Sequence, residues 1–200
     1  MSNISYRKKI LAAVRHIASV QRDMNGLNIK NIAKTANVNE KIVRAEFKDL
    51  NEIFYEAAIL RFKEHELKSV QISNLTGSYA LATLIRHDLE SIILISRYTL
   101  ENQNQELSKY TVNAFNYIQN YFDNVMPKYY YHIFSKNPSL LPNKAINARL
   151  YAHFIVHSLF FFTKKELYLT NPAPEEIKNI TKRIINSLFV DHQETSTVGS

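Results

Sequence analysis

Apolar residues recur at spacings of three and four along most of the chain, and runs of strict apolar–polar alternation are missing. The first spacing lines one face of an α-helix and the second marks a strand, so the pattern predicts an all-α protein. Ile10, Val14 and Ile17, with Leu11, Ala13 and Ala18 beside them, predict a helix from Ser5 to about Asp23. The segment DMNG reads as its stop, with Gly26 in the left-handed conformation that closes many helices. Asn28 can cap a short helix, IKNIAKTA, whose Ile29, Ile32 and Ala33 face inward. Asn39 can cap a third, EKIVRAEF, with Ile42, Val43 and Phe47 apolar, and Asp49 a longer one, LNEIFYEAAILRFKEHELKSV.

The remainder reads as long helices. One runs from about Ser78 to Tyr98, with Leu81, Leu84, Ile85, Leu89, Ile92 and Ile95 on its buried side. Another covers Gln103 to about Asn137 and is expected to bend at Pro127, which has no N–H for the ladder. The loop NPSLLPN precedes a helix from Lys144 to Leu169, and TNPAPEE opens a last one ending near Val190, with Pro174 suited to its first position. The polar tail DHQETSTVGS is expected to fray. The expectation is therefore about nine helices, with a three-helix domain over residues 1–48 and a helical body over residues 49–200.

Composition narrows the class. Three glycines and five prolines leave little room for long loops. The lack of cysteine excludes disulfides and cysteine-based zinc sites, and is compatible with a cytoplasmic location. The amino terminus carries charges throughout and has no signal-peptide core. The most apolar run, LYAHFIVHSLFFF, spans residues 150–162 and includes two histidines. It is shorter than the roughly 20 residues that cross a bilayer, so no membrane partner is expected.

Charge is unevenly placed. Residues 1–48 hold ten basic and three acidic side chains, whereas residues 49–200 hold fifteen of each, so the whole formal charge of +7 lies in the first quarter. A basic module on a neutral body points to a polyanion, and the two short capped helices around ANVN supply a means of reading one. In a helix-turn-helix the second helix enters the major groove of duplex DNA and its first turns meet base edges. The turn residue needs positive φ, which Asn37 tolerates, and Ala33 and Ala36 let the helices approach.

ILAAVRHIA, followed by NIAKTANVNEKIVRAEFKDLNEIF, resembles the amino-terminal domain of the tetracycline-repressor (TetR) family over about residues 8–58. Ile10, Leu11, Ala13, Ile17, Ile32, Ala33, Ala36, Val38, Phe47 and Ile53 stand at the family's core positions. The resemblance implies a dimeric, all-helical, ligand-responsive transcriptional regulator, usually a repressor on an inverted-repeat operator. Three positions depart from the pattern: the turn glycine is Asn37, the phosphate-holding tyrosine is Arg44, and the lysine opening the next helix is Leu50. Arginine brings a full charge to a phosphate, whereas Leu50 cannot replace lysine, although Lys48 stands two residues earlier.

On this reading Asn39, Glu40, Lys41 and Ile42 open the recognition helix. Lys41 suits guanine O6 and N7, and Glu40 can accept from cytosine N4, although an acid there also complements the helix dipole. Lys30, Lys34, Arg44 and Lys48 are the phosphate candidates.

Seventeen of the 23 aromatic residues lie from Tyr98 onward, which favours a pocket for a small lipophilic or aromatic ligand in the body. Its candidate lining is Tyr110, Tyr117 and Tyr121 with the polar residues His87, Asp88, Ser91, His153 and His157. His153 and His157 also have a spacing that suits a metal, but no third ligand has telling spacing, so neither metal nor cofactor is expected. Phe161, with the stripe Ile177, Ile180, Ile184 and Leu188, is the expected homodimer interface. No phosphate loop, G-x-S-x-G or H-E-x-x-H occurs, so an enzyme is not expected. The competing reading is the same fold with DNA binding that is weak, architectural or replaced by a protein partner.

Overall fold

Side-chain caps set where most of the early helices begin. The computed structural model describes residues 5–18, 26–100, 105–143, 145–163 and 174–189, which hold nine α-helices, one short 3-10 helix and no strand. Ser5 caps α1 (Tyr6–His16), Asn28 caps α2 (Ile29–Ala36) and Asn39 caps α3 (Glu40–Glu46), each side-chain oxygen accepting a backbone N–H of the first turn. Asp49 does the same for α4 (Leu50–Ser73), accepting from the Glu52 N–H at 2.9 Å. Then follow α5 (Gly77–Leu100), α6 (Gln105–Asn124), α7 (Met126–Lys136), the 3-10 turn Pro138–Leu140, α8 (Ala148–Phe162) and α9 (Pro174–Phe189).

The sequence-based expectations need three adjustments. The single helix through Pro127 is two, broken at Val125, because a proline ring inside a continuous helix would strike the carbonyl four residues back. Pro127 sits instead in the first turn of α7, where its missing N–H costs nothing. α8 starts at Ala148 and not near Lys144, since Asn147 accepts from the N–H groups of Arg149 and Leu150. The loop NPSLLPN contains the 3-10 turn. Among the described residues positive φ occurs at Asn37 and Gly77.

The chain divides into two units, one comprising Met1–Glu66 and Leu94–Tyr121, the other Leu67–Ile93 and Phe122–Ser200. In the first, Ile10, Val14, Ile17, Leu27, Ile32, Val43, Phe47, Ile53 and Phe54 form a closed apolar core. Of the ten core positions expected from the family pattern, eight are buried, while Leu11 and Val38 pack half-buried against them. In the second unit Leu81, Leu84, Ile85, Leu89 and Ile92 of α5, Tyr130, Ile133 and Phe134 of α7, and Ile155, Val156 and Leu159 of α8 are buried. No helix among the described residues is long and apolar enough to cross a membrane.

Candidate nucleic-acid interface

The helix-turn-helix is built on one left-handed residue. Asn37 adopts φ 52°, ψ 50°; its N–H donates to the Lys34 carbonyl at 3.2 Å, and the Val38 N–H donates to the Ala33 carbonyl at 3.0 Å. This pair of bonds is the Schellman closure, which satisfies two otherwise orphaned carbonyls of α2 and reverses the chain. Asn39 then turns extended and its side chain accepts from the Lys41 N–H at 2.9 Å, so α3 starts two residues after α2 has closed.

Burial of Val43 and Phe47 orients α3. Ile42 is half-buried, Glu40, Lys41, Arg44 and Ala45 are exposed along a single face of α3, and Lys48 is exposed just past the helix end. Lys30 and Lys34 are exposed on α2. None of these five cations pairs with a carboxylate among the described residues. Arg44 and Lys48 also border one small hollow whose floor includes Ile29, Val43, Leu50 and Ile53. Leu50 is half-buried against the core, so the position where a lysine was expected carries packing instead of charge.

Two of the ten amino-terminal cations have another role. Arg7 donates from Nε to Glu56 at 3.0 Å, from one terminal nitrogen to Glu52 at 2.9 Å and again to Glu56, and from the other to the Glu46 carbonyl. Its guanidinium carbon lies 4.1 Å from the centre of the Phe47 ring. The bonds to Glu56 and then Glu52 raise its pKa, so it stays charged. Glu52 also accepts from the Lys48 N–H at 2.6 Å, and that bond, with Arg7 second, lowers its carboxyl below the ordinary value. Arg15 pairs with Glu64 at 2.9 Å. Arg7–Glu56 and Arg15–Glu64 share one sequence offset of 49, so α1 lies parallel to α4 in a fixed register. The basic face available to a polyanion is thus smaller than the charge count suggests, because Arg7 and Arg15 brace α1 to α4.

The ligand-lining candidates lie in both units. In the first, Tyr121 is buried with its hydroxyl 2.9 Å from His65 Nδ1 and its ring 4.5 Å from that of Phe62. Tyr117 is half-buried beside Phe62 and Tyr55; burial, then the charge of Glu66 and the neighbouring Tyr55, push its phenol up. The Tyr110 side chain lies outside those described. In the second unit His87, Asp88 and Ser91 are buried on α5, and Tyr130 donates to Asp88 Oδ2 at 2.7 Å. Complete burial, then the charge of Asp88, push the Tyr130 phenol well above its ordinary value and keep it a neutral donor. Ser91 Oγ is buried with no hydrogen-bond partner among the described residues. His153 is half-buried and His157 exposed, on the outer side of α8 and not in the interior that the apolar run suggested, because Ile155, Val156 and Leu159 take the inward positions.

For the expected subunit interface, Phe161 is 68% exposed on α8, in line with Leu150 at 69% and Phe154 at 56%. Ile177, Ile180 and Ile184 are half-buried on α9, and the Leu188 side chain lies outside those described.

A capped helix-turn-helix joined to a series of long helices defines an all-α fold. Two solved structures share it over nearly their whole length. The fatty acid degradation regulator FadR from Bacillus halodurans is similar with a TM-score of 0.66 at 14% identity, over 94% of this chain and 96% of that one. The transcriptional regulator FadR from Bacillus subtilis, in complex with stearoyl-CoA, gives 0.61 at 16% identity, over 90% and 96%. At such identities the likeness is one of fold. No protein-family model matches the chain, and no curated protein does.

Proposed function

We propose that this protein is a sequence-specific DNA-binding transcriptional regulator of the TetR type, a ligand-responsive repressor that binds an inverted-repeat operator as a homodimer. The observation that carries the reading is the Schellman turn at Asn37, which sets an exposed face of Glu40, Lys41 and Arg44 on the second helix of a helix-turn-helix, with Lys48 exposed just past its end. Lys41 and Glu40 meet base edges, Asn39 holds the start of the helix, and Lys30, Lys34, Arg44 and Lys48 hold phosphates. Arg44 and Lys48, side by side at the hollow, take over the anchoring that Leu50 gives up.

The proposed homodimer is supported by the exposed row Leu150, Phe154 and Phe161 on α8, an apolar face of the kind a second copy covers. The ligand is small and lipophilic, in keeping with the stearoyl-CoA complex of the Bacillus subtilis neighbour. Its polar end gives Ser91 Oγ the hydrogen bond that a buried hydroxyl requires. Ligand occupancy displaces α4, and the two recognition helices then miss successive major grooves about 34 Å apart.

Selection of duplexes from a random DNA library by the purified protein, followed by salt titration of the best binder, tests the reading. The expected result is an inverted-repeat consensus whose affinity falls steeply as salt rises. Recovery of no consensus would refute it and leave a regulator-like fold acting through a protein partner.

A further inference from the structure

On the outer side of α8 two histidines stand one turn apart, and a carboxylate at the end of α6 in the same unit approaches one of them. His153 and His157 stand one turn apart with their rings nearly parallel, 17° between planes and 6.5 Å between centroids. Asp123, near the end of α6, places Oδ1 3.8 Å from His157 Nε2, and Phe122 beside it packs on Phe160 of α8 at 5.4 Å, which holds the two helices together at this level. We propose that His153, His157 and Asp123 form a site for one first-row transition-metal ion, Zn²⁺ or Ni²⁺ in class.

The 3.8 Å separation is too long for a hydrogen bond. It is close to what an ion requires: bonds of about 2.1 Å at a tetrahedral angle put ligand nitrogen and oxygen about 3.4 Å apart. Two imidazoles on such an ion have centroids about 5 Å apart, so the rings must close from their present spacing by side-chain rotation alone. His157 is exposed and His153 half-buried, which leaves that rotation open. Two imidazoles and one carboxylate favour zinc, nickel or copper over magnesium and calcium, whose coordination is built from oxygens. Three protein ligands leave the fourth position to water, and the ion ties the end of α6 to α8. The site depends only on these two helices and not on DNA binding.

The test is calorimetric titration of the untagged full-length protein, stripped with chelator, with ZnCl₂ at neutral pH. One ion per chain is expected, with affinity reduced at least tenfold in His153→Ala and in His157→Ala, severalfold in Asp123→Asn, and unchanged in His132→Ala, a control at another exposed histidine. Substitution by Co²⁺ is expected to give visible d–d absorption that the two histidine variants lack. Since the ligands are on the surface, circular dichroism will show that the variants fold. Absence of zinc binding, or binding that survives loss of either His153 or His157, would overturn the proposal.

Discussion

Replacing Arg7 with methionine keeps the methylene packing of the side chain and removes the guanidinium with everything it holds. What is lost is a two-point pair with Glu56, the bond to the Glu46 carbonyl, the bond to Glu52 and the contact with the Phe47 ring. The Arg7 side chain is 34% exposed and that of Glu56 32%, so solvent screens the pair and it contributes about 0.5–1 kcal/mol. The bond to the carbonyl adds roughly 1 kcal/mol. The ring contact adds roughly 0.5–1 kcal/mol. Because these terms share one group they do not sum fully, and about 2 kcal/mol is expected. In a chain of this size that lowers the melting temperature by roughly 4–8 °C. Thermal melts of the two proteins at low salt measure it, and a difference below about 1 °C would refute the reasoning.

The same pair of proteins carries a pH signature. Glu52 is held below its ordinary value of 4.5 by the Lys48 N–H first and Arg7 second. A carboxylate with a lowered folded-state pKa stabilises the fold above its unfolded value and loses that contribution as pH falls through the folded one. The gap between wild type and Arg7→Met is therefore constant from neutrality to about pH 5 and narrows below it. A gap that widens on acidification would show that Glu52 is not part of the brace.

Other expectations can be checked directly. Tyr130→Phe leaves Asp88 Oδ2 without its 2.7 Å donor in a buried setting, and chemical denaturation should show a loss of about 2–3 kcal/mol. Asn37→Ala keeps a β-carbon in the left-handed region at φ 52° but removes the short polar side chain that lets asparagine adopt it, so about 1 kcal/mol of stability should go while Asn37→Gly melts no earlier than wild type. Arg44→Ala should weaken binding to the selected duplex evenly across sequences and reduce the salt slope by about one, whereas Arg7→Met should leave that slope as it is. Phe161→Glu combined with Ile184→Glu should give monomers by light scattering, and a dimer that persists would move the interface elsewhere.

Features decided by neighbours in sequence were legible, and those decided across the fold were not. Asn28, Asn39 and Asp49 could be read as caps because the bond each makes reaches only two or three residues ahead. The left-handed turn at Asn37 followed from the narrow choice of residues that tolerate it. Asn147 has the same cap signal, but Lys144 and Ala145 before it are equally compatible with a helix, so the start is set by the bonds Asn147 makes to Arg149 and Leu150. Pro127 marks a break whose position depends on which side the new helix starts. Among site residues, the exposed face of α3 was legible from its period. The pairing of Arg7 with glutamates 45 and 49 positions away was not, and neither was the approach of Asp123 to His157. Buried side chains such as Ser91 announce a polar position without naming what answers it.

The parallel register of α1 and α4 determines how much of this protein would have to be transplanted to carry its helix-turn-helix into another. A graft ending at Lys48 would contain both helices of the helix-turn-helix, yet it would leave behind Ile53 and Phe54 from the core and all three glutamates that answer Arg7 and Arg15. The portable piece ends beyond Glu64, and a recipient must accept it at the helical phase of α4. One residue inserted into α4 ahead of Glu52 would rotate every one of those carboxylates by about 100°, and both bridges would fail together.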